Sequence, residues 1–254
     1  TFTFVDSALT GTADTANLTL NGMTAGTVDI ATAAAANGFE TIAINSTGSA
    51  NTATLGDTNQ TSVKTINVTG DQNLALTTTA VTTYTTVDAS AMTGALTLTT
   101  TNAGTATTVT GGTGNDGITL GAAAVADSID AGAGDDTITF SANLTNADTI
   151  NGGDGTDILA GVAANLVSSA YAKPTTATVT NIETINVTDL LDTGNYTLSN
   201  IASGITTFGM AAGSDNTQRT VTFEGGGASN TVNLTGTTVI GTSGIKFAAA
   251  GTNT

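Results

Sequence analysis

Histidine, cysteine and tryptophan are absent from this chain of 254 residues, and only four basic side chains occur, Lys64, Lys173, Arg219 and Lys246. Hydrolytic and transfer chemistry draws on groups that titrate near neutrality, so the lack of His weighs against an enzyme; a carboxylate pair remains the one familiar route. A net charge of −16 excludes nucleic-acid binding, which needs clustered Lys and Arg, and sets the surface against anionic lipid. The natural counter-charge is a divalent cation. No run of eighteen apolar residues is present, so no membrane-spanning helix is expected. The chain opens at Thr1 with no secretory leader, and both ends read as cuts through repetitive sequence, which marks an expected fragment of a longer protein.

Aromatic residues are also scarce, 4% against 39% hydrophobic residues overall. A globular core of this size fills its volume with rings. Here Thr, Ala, Gly, Asn, Val, Ile and Leu take that part, a composition suited to thin β-layers and unsuited to helical bundles.

Repeats then point to the fold. Glu40-Thr41-Ile42-Ala43-Ile44-Asn45 returns as Lys64-Thr65-Ile66-Asn67-Val68-Thr69 and as Glu183-Thr184-Ile185-Asn186-Val187-Thr188, with looser copies at Thr85–Asp88, Thr107–Val109, Thr206–Phe208 and Asn230–Leu234. Neighbouring copies lie 21 to 24 residues apart, the spacing of one strand per coil. The chain is expected to be all-β, a right-handed parallel β-solenoid or β-roll with short irregular insertions. About eleven coils at about 4.8 Å each would make a rod on the order of 50 Å long. The competing architecture is an antiparallel sandwich of about ten strands, which needs tight hairpins; of the Asn-Gly pairs, only Asn21-Gly22 is flanked by strand-like sequence on both sides. Four segments are expected: a Thr/Ala-rich solenoid block over 1–110, a calcium roll over 111–160, a protruding loop or short helix over 161–180 around Pro174, and a second solenoid block over 181–254. An Ala run over 32–37, closed by Gly38, predicts one or two helical turns.

The chemistry sits in 111–160. Gly111–Thr119 and Gly152–Ala160 match the nonapeptide G-G-x-G-x-D-x-U-x, where U is a large aliphatic residue, and Ala131–Thr139 matches with one Ala for Gly. Between them, Ala122–Asp130 and Asn143–Asn151 keep Asp127 and Asp148 at the sixth place and Ile129 and Ile150 at the eighth, without the glycines. Two nonapeptides per coil would stack the Gly-rich turns on one edge, aligning Asp116, Asp136 and Asp157. At about 5 Å and an effective dielectric near 20, each neighbouring carboxylate pair would repel by about 3 kcal/mol. Eight of the chain's 20 acids fall here, and no Lys or Arg lies between Lys64 and Lys173. Ca²⁺ accepts a mixed carboxylate and carbonyl shell. Two inter-turn sites are expected, Asp116 with Asp136 and Asp136 with Asp157, completed by carbonyls of Gly111, Thr113, Ala131, Ala133, Gly152 and Asp154. Asp127 and Asp148 are expected at the surface, with a weak site at most. Gly225–Asn233 is a degenerate further copy.

These nonapeptides resemble those of RTX (repeats-in-toxin) proteins. The phrases Gly38-Phe39-Glu40-Thr41-Ile42, Val87-Asp88-Ala89-Ser90 and Asn181–Val187 resemble the Thr/Ala-rich body of RTX-type bacterial surface-layer (S-layer) proteins of the Caulobacter type. The resemblance implies a calcium β-roll exported by type I secretion and a non-enzymatic lattice subunit at the bacterial cell surface. Its partners would be other copies of itself and, through a region beyond this chain, a surface polysaccharide. The alternatives are a segment of a secreted adhesin or biofilm matrix protein and the calcium roll of a secreted hydrolase, although no H-E-x-x-H or G-x-S-x-G occurs. Thr-rich faces such as Leu96–Thr100 also suit ice, but the sequence displays no regular Thr-x-Thr ranks.

Overall fold

The computed structural model describes residues 2–4, 9, 11–32, 38–56, 62–78, 81–100, 104–121, 125–140, 144–162, 166, 178–189, 195–198, 201–202, 204–210, 219–223, 231–234 and 245–249. The elements it describes are strands. They begin β1 (Phe2–Phe4), β2 (Thr15–Asn21), β3 (Thr27–Thr32), β4 (Thr41–Thr47), β5 (Asn51–Gly56), β6 (Thr65–Gly70), β7 (Leu74–Thr77) and β8 (Thr86–Met92). Next come β9 (Leu96–Thr99), β10 (Thr108–Thr110), β11 (Gly117–Leu120), β12 (Ser128–Asp130), β13 (Thr137–Phe140), β14 (Thr149–Asn151) and β15 (Ile158–Gly161). The last are β16 (Val179–Thr180), β17 (Thr184–Val187), β18 (Asn195–Thr197), β19 (Thr207–Met210), β20 (Arg219–Phe223), β21 (Thr231–Leu234) and β22 (Ile245–Ala249).

Among the described residues every strand pairing is parallel, and each strand pairs with the one two places along. The eleven odd-numbered strands form one sheet, the even-numbered strands from β2 to β16 an eight-stranded sheet, and β18, β20 and β22 a third of three strands. A parallel pair cannot be closed by a hairpin. The chain therefore winds as a β-solenoid, each coil laying one strand on either side of a narrow interior.

Alternation at period two fills that interior. Ile42, Ile66, Val87, Val109, Ile129, Ile150 and Val179 stand in register along the eight-stranded sheet, all buried. From the eleven-stranded sheet Leu76, Leu98, Ile118, Ile138, Leu159, Ile185 and Phe208 form the corresponding column. Burying each aliphatic chain contributes about 1.5–3 kcal/mol. Two sheets separated by single side chains need few rings, which accounts for the low aromatic content.

The repeated phrase does not keep to one side of the coil. Its copies at 41–47, 65–70, 86–92 and 108–110 pair in the eight-stranded sheet, whereas those at 184–187, 207–210 and 231–234 pair in the eleven-stranded one. A strand with one apolar face serves either sheet equally, so the phrase marks strands and not sides. The sheets also run past the 161–180 segment, since β15 pairs with β17 and β14 with β16. Thr32 belongs to β3, while 33–37, 163–165, 167–177 and 224–230 lie outside the described residues, and with them the expected Ala-run helix, most of the protrusion and most of the degenerate repeat.

Outward positions of the eleven-stranded sheet form one continuous column, Thr54, Thr77, Thr99, Thr119 and Thr139. In the adjacent column Thr52, Thr97 and Thr137 alternate with Ala75 and Gly117, so complete Thr-x-Thr ranks recur only at every second coil. Among the described residues no helix is long and apolar enough to cross a membrane.

Candidate metal centre

The Gly-rich turns connect β10 to β11, β12 to β13 and β14 to β15, so they share one edge of the solenoid, as the two-nonapeptide coil predicts. Asp116, Asp136 and Asp157 each stand immediately before an odd-numbered strand. All three are buried, with 3%, 1% and 0% of their surface exposed. Each carboxylate reaches back to the preceding coil. Asp116 Oδ1 accepts from Leu96 N–H at 2.7 Å, Asp136 Oδ1 from Asp116 N–H at 2.6 Å, and Asp157 Oδ1 from Asp136 N–H at 2.9 Å. Asp157 N–H in turn donates to Glu183 Oε2 at 2.8 Å. The sixth-position acid therefore has a structural duty: it satisfies an amide that would otherwise be buried without a partner. Where Lys64 holds the pre-strand place and offers no acceptor, the Glu40 N–H of the preceding coil donates to Asp14 O at 3.0 Å instead.

The second oxygens differ. Asp116 Oδ2 accepts from Gly112 N–H at 2.8 Å, closing its own turn. Asp136 Oδ2 and Asp157 Oδ2 are buried and have no hydrogen-bond partner. Leaving a buried acceptor unmatched costs on the order of 1–3 kcal/mol, more for a charged one.

The opposite edge corrects the sequence reading. Asp127 and Asp148, expected at the surface, are 7% and 0% exposed. They build a second ladder: Asp127 Oδ1 accepts from Thr107 N–H at 2.8 Å and Asp148 Oδ1 from Asp127 N–H at 2.9 Å. Asp148 Oδ2 accepts from Thr145 N–H at 2.6 Å, so both of its oxygens are engaged. The acids persist here without glycines because the ladder uses the pre-strand position, which any turn conformation can supply.

Burial raises the carboxyl pKa of Asp116, Asp127, Asp148 and Asp157 above the ordinary range, against the pull of their N–H donors. Asp136, in the middle of its ladder, is pushed up to about 7 by burial and by the charges of Asp116, Asp157 and Asp135, although the Asp116 N–H bond opposes the shift.

Glycine lets these turns stack. A Cβ at Gly153 would overlap the Gly132 carbonyl oxygen, and one at Gly155 the Gly134 carbonyl oxygen, both at positive φ. Stacking joins the second and third turns through Asp154 N–H to Gly132 O at 2.9 Å and Gly134 N–H to Asp154 O at 2.8 Å. Of the six carbonyls expected as ligands, that of Asp154 is therefore committed to Gly134; among the described residues no donor is directed at those of Gly111, Thr113, Ala131, Ala133 or Gly152. No three acidic side chains converge among the described residues. Two buried, unpartnered carboxylate oxygens and the unengaged carbonyls of the same turns are an all-oxygen set of the kind Ca²⁺ takes.

Reading the nonapeptides alone misses Glu183 and Glu40. Glu40 Oε2 accepts from Asp14 N–H at 2.8 Å, as Glu183 Oε2 does from Asp157. The signal is present in the sequence: an acid directly before Thr-Ile in Glu40-Thr41-Ile42 and Glu183-Thr184-Ile185 occupies the place of Asp116 before Gly117-Ile118. No protein-family model matches the chain, and no match was found among curated proteins.

Proposed function

We propose that this chain is a calcium-dependent, non-enzymatic structural segment of a secreted bacterial surface protein, best read as part of a self-assembling S-layer subunit. The observation that carries the calcium reading is the pair of buried, unpartnered oxygens Asp136 Oδ2 and Asp157 Oδ2, in turns whose carbonyls at Ala131, Ala133 and Gly152 receive no donor. Bound Ca²⁺ would supply the positive charge that this edge lacks and would couple turn stacking to cation concentration. Asp136 and Asp157 would hold it with the carbonyls of Ala131, Ala133 and Gly152, and Asp116 would join Asp136 in a second position with those of Gly111 and Thr113.

The coat reading rests on the RTX-like nonapeptides within a long Thr/Ala-rich solenoid and on the charge of −16, which cations can bridge between copies. Export by type I secretion and anchoring to surface polysaccharide through a region outside this chain belong to the same proposal. The test is light scattering and electron microscopy of the complete polypeptide with calcium and with excess EGTA. Ordered sheets that dissolve on chelation support the coat; a calcium-binding protein that stays monomeric at high concentration favours the adhesin or hydrolase-roll alternatives.

A further inference from the structure

The two gaps in the Asp116–Asp136–Asp157 ladder are not equivalent. The turns at 131–136 and 152–157 share one backbone form: Gly132 and Gly153 have φ of 102° and 98°, and Gly134 and Gly155 of 122° and 141°. A parallel bridge between Ala133 and Asp154 locks them in register. The turn at 111–116 departs from this form, since neither Gly112 nor Gly114 occupies the left-handed region. It is held by its own hydrogen bond, Gly112 N–H to Asp116 Oδ2 at 2.8 Å, while Leu96 N–H takes Oδ1 at 2.7 Å. Both oxygens of Asp116 are thereby engaged, whereas Asp136 Oδ2 and Asp157 Oδ2 are buried and unmatched. Turning that oxygen toward a cation between the coils weakens or breaks its bond to Gly112, whereas Asp136 Oδ2 and Asp157 Oδ2 have no such bond to give up.

We infer that the roll takes its cations in a fixed order. The gap between turns 131–136 and 152–157 is ready for a cation and fills first. The gap between turns 111–116 and 131–136 is latched by Gly112 and Asp116, and fills second, at the expense of that bond. The inference rests on the calcium reading above and adds to it an order and a latch. Breaking one charge-assisted hydrogen bond sets the second affinity about ten- to a hundredfold below the first. Asp136 belongs to both gaps, so the latch residue that separates the steps is Asp116.

Calcium titration of the isotope-labelled full chain, followed by amide NMR and calorimetry in parallel, tests the order. The first equivalent should shift amides of 131–136 and 152–157 while Gly112 N–H keeps its hydrogen-bonded resonance. A second phase, about ten- to a hundredfold weaker, should move Gly112. Asp157→Asn should remove the tight phase and Asp116→Asn the weak one; in both, the amide oxygen still accepts the inter-coil N–H. Movement of Gly112 with the first equivalent, coincident midpoints, or the reverse pattern in the two variants overturns the order while leaving calcium binding in place. Absence of any calcium-dependent shift across 111–160 overturns the calcium reading and the order with it.

Discussion

Asp116 N–H donates to Asp136 Oδ1 at 2.6 Å across one coil of the solenoid, the shortest of the inter-coil bonds in the aspartate ladder. One carboxylate thus carries two functions on two oxygens, a structural bond through Oδ1 and an unmatched acceptor at Oδ2. Removing the side chain and removing only its charge are therefore different experiments.

Asp136→Asn keeps an oxygen for Asp116 N–H and removes a buried charge. Its calcium-free melting temperature should equal or exceed that of the parent, and its calcium-induced stabilisation should be largely lost. Asp136→Ala orphans the Asp116 amide and should lose about 1–3 kcal/mol even without calcium. Denaturant unfolding with and without EGTA separates the two; equal calcium-free stability of Asn and Ala variants would show that the ladder bond contributes nothing.

Asp148→Ala orphans the Thr145 amide, leaves the Asp127 amide with only Val125 O at 3.1 Å, and should cost about 1–3 kcal/mol. Because both of its oxygens are engaged, calcium affinity measured by calorimetry should stay within about twofold, roughly 0.4 kcal/mol, of the parent. A large affinity loss in a variant that folds would place a cation on the glycine-poor edge as well.

Without calcium, acidification should stabilise the roll. The folded pKa of Asp136 is about 7 against an ordinary 3.8, so between those values the folded chain binds more protons than the unfolded one. Its stabilising contribution is complete below the unfolded pKa and lost as pH rises through about 7. The upward shifts of Asp116, Asp127, Asp148 and Asp157 have the same sign. The melting temperature in EGTA should therefore rise as pH falls from about 8 to about 5, and calcium affinity should fall because protons compete for the same oxygens. A calcium-free melting temperature that drops over that interval contradicts the assignment.

Gly153→Ala places a methyl against the Gly132 carbonyl oxygen at a φ of 98°. Neither the backbone nor a flexible side chain can give way cheaply, so the stacking of turns 131–136 and 152–157 should fail. Hydrogen exchange at the Gly134 and Asp154 amides, whose inter-turn bonds depend on that contact, should accelerate by more than about tenfold, the equivalent of 1.4 kcal/mol. Unchanged protection at both amides would show that the turns can stack around a methyl group.

The outer surface shows where sequence reading stopped. Asp88 sits in the phrase Val87-Asp88-Ala89-Ser90, where its Oδ1 accepts from Ser90 Oγ at 2.7 Å and Ser90 N–H at 3.0 Å, and the register of β6 and β8 slips by one residue. These bonds, the hydroxyl first, hold the Asp88 carboxyl below its ordinary range. A slip of this kind depends on how two coils of unequal length meet, which no single strand encodes.

The all-β coil, the inward Ile, Leu and Val columns and the separation of Gly-rich from Gly-poor turns are determined by the sequence alone, because period-two alternation and the nonapeptide spacing are local properties of the chain. Three matters were decided only by tertiary structure. The Thr-Ile phrases fall on opposite sheets, Ile66 on one and Ile185 on the other, because a one-faced strand is compatible with either. Asp127 and Asp148 turn inward because the amides of the neighbouring coils need acceptors, a demand that exists only once the coils are stacked. Asp116 differs from Asp136 and Asp157 although all three hold the same place in the repeat. What separates them is the backbone conformation of each turn against its neighbour, which leaves Gly112 N–H bonded to Asp116 and the Oδ2 atoms of Asp136 and Asp157 without a partner.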